Sequence, residues 1–221
     1  MSEPRGLGEA DLERLVGVGR LEFVVRRHTV PLDGPALVIV IAGYFRIFRH
    51  AAFVRDVTLG LAIRGDVLAP GAAFGDRVAE TGAEALSAGQ VLLLSPDAWR
   101  SCAQSQPELN LKMAASIAKR VVRLQKRLEE VSRAGVEGRV AASLLDLADD
   151  YGIACAEGVR LDIPLSQEDL ARFAGTTRET CSSVVAGFAR RGFVSGGRLR
   201  GLLVVDPAAL AVLAERDPAV D

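Results

Sequence analysis

The sequence predicts an α+β chain in three parts: a β jelly roll over residues 1–106, a long helix with a hinge over 107–135, and a winged helix-turn-helix over 136–221. Three observations carry this. Residues 21–95 break into short apolar or alternating runs separated by Gly, Pro and Asp, the texture of a sandwich or barrel. From Glu108 the apolar period lengthens to that of a helix. Between Pro164 and Phe193 two short helical patterns flank a Gly-Thr-Thr turn.

Composition bounds the function. A chain of 221 residues, 49% of them hydrophobic, suits one large or two small domains with buried cores. No apolar run reaches the ~18 residues of a membrane span. The start, MSEPRGLGEADLERL, has no apolar signal segment, so the cytoplasm is the expected location. Cys102, Cys155 and Cys181 are far apart and form no C-x-x-C pair, which argues against a disulfide framework, a zinc site or a four-cysteine iron–sulfur cluster. Only His28 and His50 could ligate haem, and two histidines are too few for the metal site of a jelly-roll enzyme. With no Ser-His-Asp or Cys-His pairing either, the chain reads as a non-enzyme, and no metal or cofactor is expected.

Taken in order, residues 7–17 form a short amphipathic helix with Leu12, Leu15 and Val16 inward. Strand candidates follow in LEFVV, ALVIVIAGYFRIFR, VRDVTLGLAI, GDVLAP, ALSAG and QVLLLS. Leu37 to Ile41 is continuously apolar, as in a strand buried on both faces. Gly43 interrupts as at a bulge or bend, and Tyr44 to Arg49 alternates. A jelly roll of about eight strands accommodates these runs. A short helix covers residues 96–106. On the long helix, Ala114, Ile117, Val121, Leu124, Leu128 and Val131 recur at alternating spacings of three and four, an a/d seam for a parallel dimer. Lys112, Lys119, Arg120, Arg123, Lys126, Arg127 and Arg133 are expected outside it, and packing of the helix on its own domain is the alternative.

Gly135 marks the hinge. Val136–Tyr151 is amphipathic, with Val140, Leu144, Leu145, Leu147 and Ala148 inward, and Gly152 ends it. Val159–Ile163 is a short strand. FVSGGRLRGLLVVDP reads as a β-hairpin turning at Gly196-Gly197, whose wing carries Arg198 and Arg200, and DPAALAVLAE closes the chain as a small helix.

Between them lies the helix pair. The first helix, about Ser166–Ala174, turns Leu170, Phe173 and Ala174 to one face, and Gly175 closes it. Thr176 or Thr177 caps the second, and Thr176 with Glu179 fits a capping box. The second helix buries Cys181 (as an inert thiol), Val184, Val185 and Phe188, and leaves Thr177, Arg178, Ser182 and Ser183 near its outer N-terminus. Small and hydrogen-bonding side chains placed so suit base edges in a major groove. From Leu170 to Val205 the bases are Arg172, Arg178, Arg190, Arg191, Arg198 and Arg200 and the only acid is Glu179, on a chain of net charge −1. This local basic patch points to double-stranded DNA. The alternative is an ordinary helical hairpin in a core.

The GDV at 65–67, EGRVAASLLDLA at 137–148, PLSQEDLARFAGTTRET at 164–180 and VVDPAAL at 204–210 together resemble the Crp–Fnr family of bacterial transcription regulators, over nearly the whole chain. The resemblance implies a cyclic-nucleotide-binding-like sensor domain and a homodimer on a two-fold symmetric operator, with half-sites ~34 Å apart. It implies that Arg178 reads guanine, that Glu179 accepts from cytosine, and that Ser166 and Gln167 lie against phosphate. Ser183 stands where the family has a second arginine, so one base-reading contact is altered. In the sensor domain, Ala69-Pro70 falls at the family's ribose-binding G-E, and Ala79-Glu80 at its phosphate-binding R-S/T. The adenine-contacting pair falls at Leu124-Gln125. A regulator that does not depend on cyclic AMP is therefore expected. A cyclic-nucleotide-responsive regulator, a haem- or redox-sensing one, and a jelly-roll small-molecule-binding protein or enzyme remain as alternatives. RNA polymerase is a further partner if the protein activates.

Overall fold

A computed structural model describes residues 6–34, 36–51, 54–69, 71, 81–133, 135–196 and 201–215; side chains are described apart from those of 51, 54, 55, 123 and 126–133. The chain divides into two compact units, Met1–Leu124 and Gln125–Asp221.

The first unit opens with helix α1 (Glu9–Val16). Strands β1 (Arg20–Val24), β2 (Thr29–Pro31), β3 (Leu37–Ala42), β4 (Phe45–Ala51), β5 (Val54–Ala62), β6 (Thr81–Ala85) and β7 (Gly89–Leu94) follow, then helices α2 (Pro96–Ser105) and α3 (Glu108–Arg133). The strands form two antiparallel sheets, in the orders β1-β7-β3 and β2-β6-β4-β5. One core holds Val38, Val40, Phe45, Ile47, Ala83, Ala85 and Val91, drawn from both sheets. The other faces of β3 and β7 carry Leu37, Ile39, Leu92 and Leu94 into a second core with Leu12 and Leu15 of α1, Trp99 of α2, and Leu109 and Met113 of α3. This is why β3 reads as a continuous apolar run: it is buried on both faces. Gly43 makes the corner where the chain passes from one sheet to the other. Its φ is +94°, and a Cβ there would lie 2.8 Å from the Cα of Gly89.

One expectation about this unit needs correction, and a second, met in the exposed Lys112 and the half-buried Arg120, gains contacts the pattern did not show. Alternation along Tyr44–Arg49 would turn Arg46 to solvent, yet Arg46 is 2% exposed. The register of β4 on β6 sets it opposite Glu84. Its Nη2 and Nε donate to Glu84 Oε2 at 2.5 and 3.1 Å, and its Nη1 donates to Thr58 at 3.3 Å. Arg27 Nη1 donates to the other carboxylate oxygen at 2.7 Å. Burial pushes the Glu84 carboxyl up, but the two guanidinium groups outweigh it and hold it below its ordinary value.

Lys112 and Arg120, expected on the outside of α3, are tied to the rest of the unit. Lys112 Nζ donates to both oxygens of the buried Asp11, at 2.9 and 2.7 Å. Arg120 Nη2 donates to the carbonyl of Val67 at 3.2 Å, beside a contact to that of Leu68. Asp11 also accepts from the backbone of Gly8; against the upward push of burial, these donors hold its carboxyl below the usual carboxylate range.

The second unit contains α4 (Val136–Tyr151), β8 (Gly152–Cys155), β9 (Gly158–Leu161), α5 (Gln167–Phe173), α6 (Arg178–Arg190), β10 (Val194–Ser195), β11 (Leu202–Val204) and α7 (Pro207–Glu215). The sheet order is β10-β11-β9-β8. Val140, Leu144, Leu147 and Ala148 are buried on α4, which packs against α7 through Leu210 and Leu213, while Leu145 is half-buried. Strand β8 is an addition to the sequence reading, paired with β9 through Cys155 and Gly158. The wing also differs. Val194 pairs with Val204 and Ser195 with Leu203, a register that a two-residue turn at Gly196-Gly197 does not give; residues 197–200 lie outside the described residues.

Candidate nucleic-acid interface

The interface is built on α5, α6 and the turn between them. Ser166 caps α5: its backbone N–H donates to Asp169 Oδ2 at 2.8 Å, and the Asp169 N–H donates to Ser166 Oγ at 3.2 Å. This reciprocal box fixes the start of the helix, and the Ser166 hydroxyl is spent on it, donating to Asp169 at 2.6 Å. Gln167 opens the helix half-buried. Leu170, Ala171 and Phe173 face inward. Gly175 then takes φ +61°, and the Thr176 N–H returns to the carbonyl of Ala171 at 2.9 Å.

Thr177, not Thr176, caps α6. Its Oγ1 accepts from the backbone of Thr180 at 3.2 Å and lies 2.9 Å from the Thr180 hydroxyl, so the Thr176–Glu179 box does not form. The reason lies in the register: Thr176 is still bonded back into α5, and the first free extended residue is Thr177. Cys181, Val185 and Phe188 are buried and Val184 half-buried. Burial alone pushes the Cys181 thiol up to about 11.

The opposite face gathers the expected reading residues. Thr177, Arg178, Glu179 and Ser183 are exposed and Ser182 is half-buried beside them. Positions 178, 179, 182 and 183 follow the i, i+1, i+4, i+5 spacing of a single helix face. Arg178 and Arg190 are exposed and make no ion pair among the described residues, whereas Arg172 is paired with Glu168 at 3.3 Å and Arg191 with Glu137. The two guanidinium groups thus stand exposed near the two ends of the helix, the first with the acid Glu179 beside it in sequence. Arg198 and Arg200 lie outside the described residues.

Two contacts from α4 had no signature in the sequence. Arg139 Nε donates to the carbonyl of Ala174 at 3.0 Å, and Glu137 holds Arg191, whose guanidinium stands 4.8 Å from the centre of the Phe193 ring and 5.2 Å from that of Phe188. Both residues lie in the EGR of the 137–148 run, where the polar positions of an amphipathic helix are otherwise read as solvated.

On α3, Leu111 is 73% exposed, Val122 63% and Val121 48%, with Ala114 and Ala118 exposed between them. Ile117 packs on the core beneath the helix, and Leu124 is half-buried. The side chains of Leu128 and Val131 lie outside those described. Of the four positions at the effector cassette, Ala69 is a buried member of the inter-sheet core, with no polar group to offer a ribose. Pro70, Ala79 and Glu80 lie outside the described residues. His50 is exposed and bonded to Asp56 at 2.9 Å, and the exposed His28 faces Glu22. Among the described residues no helix is long and apolar enough to cross a membrane.

The profile of the Crp-like helix-turn-helix domain matches residues 138–213, which contain α5, α6 and the turn between them. The "CRP-like cAMP-activated global transcriptional regulator" of Mycobacterium tuberculosis is 30% identical over 191 residues, 84% of each chain. The cyclic AMP receptor protein of Thermus thermophilus is 28% identical over 177 residues, 80% of this chain and 78% of its own. In fold, a mutant of CooA from Carboxydothermus hydrogenoformans matches 91% of this chain and 90% of its own with a TM-score of 0.77 at 19% identity. At that identity and coverage, and with the Crp-like helix-turn-helix match, the chain belongs to the Crp–Fnr family of DNA-binding transcription regulators.

Proposed function

We propose that the protein is a homodimeric reader of a two-fold symmetric operator that does not depend on cyclic AMP. The observation that carries the reading is the outer face of α6: Arg178, Glu179, Ser182 and Ser183 on one exposed stripe of a helix fixed from behind. Arg178 supplies a fork for guanine O6 and N7, and Glu179 an acceptor for cytosine N4. Ser183 is too short for a second fork, so one position of each half-site is read weakly or differently. Arg198 and Arg200 of the wing, with Gln167 in the first turn of α5, bear on phosphate; Ser166, expected there too, gives both its N–H and its hydroxyl to Asp169 and serves to fix the helix start. The dimer forms along α3, where the exposed apolar stripe of Leu111, Ala114, Ala118 and Val121 awaits a partner and runs on toward Leu124, Leu128 and Val131.

The sensor domain supports independence from cyclic nucleotide. The resemblance puts Ala69, Pro70, Ala79 and Glu80 at the ribose and phosphate positions; none of them is a cation, and Glu80 is an acid. One lost charge-assisted contact costs about 1.5–3 kcal/mol, or roughly ten- to hundredfold in affinity. No cofactor is proposed. The competing reading, a cyclic-AMP-responsive regulator, is supported by the name of the M. tuberculosis relative.

Selection of duplexes from a random pool, followed by footprinting, tests the operator. A palindromic site with a linear fall of log affinity against log salt is expected, and protection of no sequence overturns the reading. Calorimetry with cyclic AMP separates the two versions: no heat is expected, and saturable micromolar binding favours the competitor.

A further inference from the structure

The two contacts from α4 converge on the helix pair from a single helical turn. Gly135 caps α4, and Glu137 and Arg139 lie two and four residues beyond it. Arg139 is half-buried and donates to the carbonyl of Ala174, the residue that ends α5 and leads into the left-handed Gly175. A carbonyl at a helix C-terminus has no partner within its helix, and a guanidinium supplies one with charge assistance. Glu137 holds Arg191, the residue that ends α6, and the same guanidinium is stacked against Phe188 and Phe193. The turn between the two helices and the far end of the second therefore hang from the same three residues of α4. The α5–α6 angle and the rotation of α6 about its axis decide which side chains meet base edges, because a major-groove reader carries its specificity on one helix stripe.

We propose that Arg139 and Glu137 are positioning residues for base readout: the first turn of α4 sets the pose of α6. This rests on the assignment of α6 as the reading helix. Neither residue needs to touch DNA. Their loss should therefore lower discrimination between sequences while the sequence-independent attraction to phosphate persists.

The test uses the full-length dimer, the operator it selects and a scrambled duplex of equal length, with fluorescence anisotropy over a range of salt. For Arg139→Ala the ratio of operator to scrambled affinity should fall about tenfold, the effect of one charge-assisted hydrogen bond. The salt slope should stay that of wild type, because the phosphate contacts are untouched. Arg139→Lys, which still offers a cationic donor to Ala174, should recover part of the loss. Glu137→Gln, at an exposed position where folding is not at stake, should lower the ratio about two- to threefold, and it decides the matter if Arg139→Ala does not fold. Variants that keep the wild-type ratio, or that lose operator and scrambled affinity equally, overturn the inference. A wild-type protein that selects no sequence overturns the assignment of α6 first and this inference with it.

Discussion

Removal of the Glu84 carboxylate is the sharpest test of the first unit. Glu84→Ala takes away the acceptor of two bonds from Arg46, at 2.5 and 3.1 Å, and of one from Arg27, at 2.7 Å. Arg27 has a side chain 44% exposed and can regain water. Arg46 cannot: it is 2% exposed, and it would keep only the bond to Thr58 at 3.3 Å and the face of the Phe48 ring at 4.6 Å. An uncompensated buried charge costs about 3–5 kcal/mol. Because Thr58 and Phe48 still shelter the guanidinium, the lower end, ~3 kcal/mol, is expected. For a unit of this size that is a fall in melting temperature of about 10 °C or more. Trp99, the only tryptophan of the chain and buried in the same unit, reports its unfolding in urea. The paired substitution Arg46→Met with Glu84→Leu should recover most of the loss, since apolar replacement of a buried ion pair is often neutral or better.

The sign of the pH dependence follows from the lowered Glu84 carboxyl. The stability it contributes is fully present above its ordinary value and is lost as pH falls through its lower folded value, so the gap between wild type and Glu84→Ala should close in acid. A cost below about 1 kcal/mol at neutral pH would refute the reasoning, because it would mean that Arg46 reaches water once its partner is gone.

Four further outcomes are expected. Arg178→Ala should cost about 1–3 kcal/mol on the operator and relax selectivity at one base pair; equal losses on operator and scrambled duplexes would deny it a base-reading role. Ser183→Arg should sharpen selectivity at the neighbouring base pair, measured by repeating the duplex selection with the variant; an unchanged consensus would place that residue off the bases. Val121→Asp puts a charge at the centre of the exposed α3 stripe without disturbing a buried contact, and sedimentation should find monomer with operator affinity reduced; an intact dimer would move the interface elsewhere. Cys181, buried with its thiol raised to about 11, should react with Ellman's reagent at least ~100-fold more slowly than the half-exposed Cys102 and Cys155, and rapid labelling of the folded protein would show that α6 opens.

The helix pair was legible because its signals are local. Ser166, Gly175 and Thr177 each act within four residues of themselves, and the apolar period of α6 needs no partner to be recognised. The β-roll was legible as texture, down to the doubly buried β3. What escaped depends on distant residues. Alternation turns Arg46 outward; it is held inward by Glu84, 38 positions away, and nothing near either residue announces the other. Asp11 sits on what reads as the polar face of α1, and only Lys112, 101 positions on, makes its burial tolerable. β8 pairs through Cys155 and Gly158 across an Ala156-Glu157 loop that carries none of the residues typical of a two-residue hairpin. Arg139 meets a backbone carbonyl, which has no identity in a sequence at all.

The long helix shows how one pattern can serve two surfaces. Read alone, α3 offers a single seam through Ala114, Ile117, Val121 and Leu124. Folded, it faces its own unit with Leu109, Met113 and Ile117, and adds polar ties through Lys112 and Arg120. A helix committed on that side can offer a second copy only what remains, and what remains is again spaced three and four: Leu111, Ala114, Ala118 and Val121. Ala114 and Val121 belong to both series; Ile117 and Ala118 are the adjacent residues between them, one turned inward and one out. A seven-residue repeat on a helix that packs against its own chain is thus consistent with either neighbour, and the choice is made by whichever residues the β-roll has already covered.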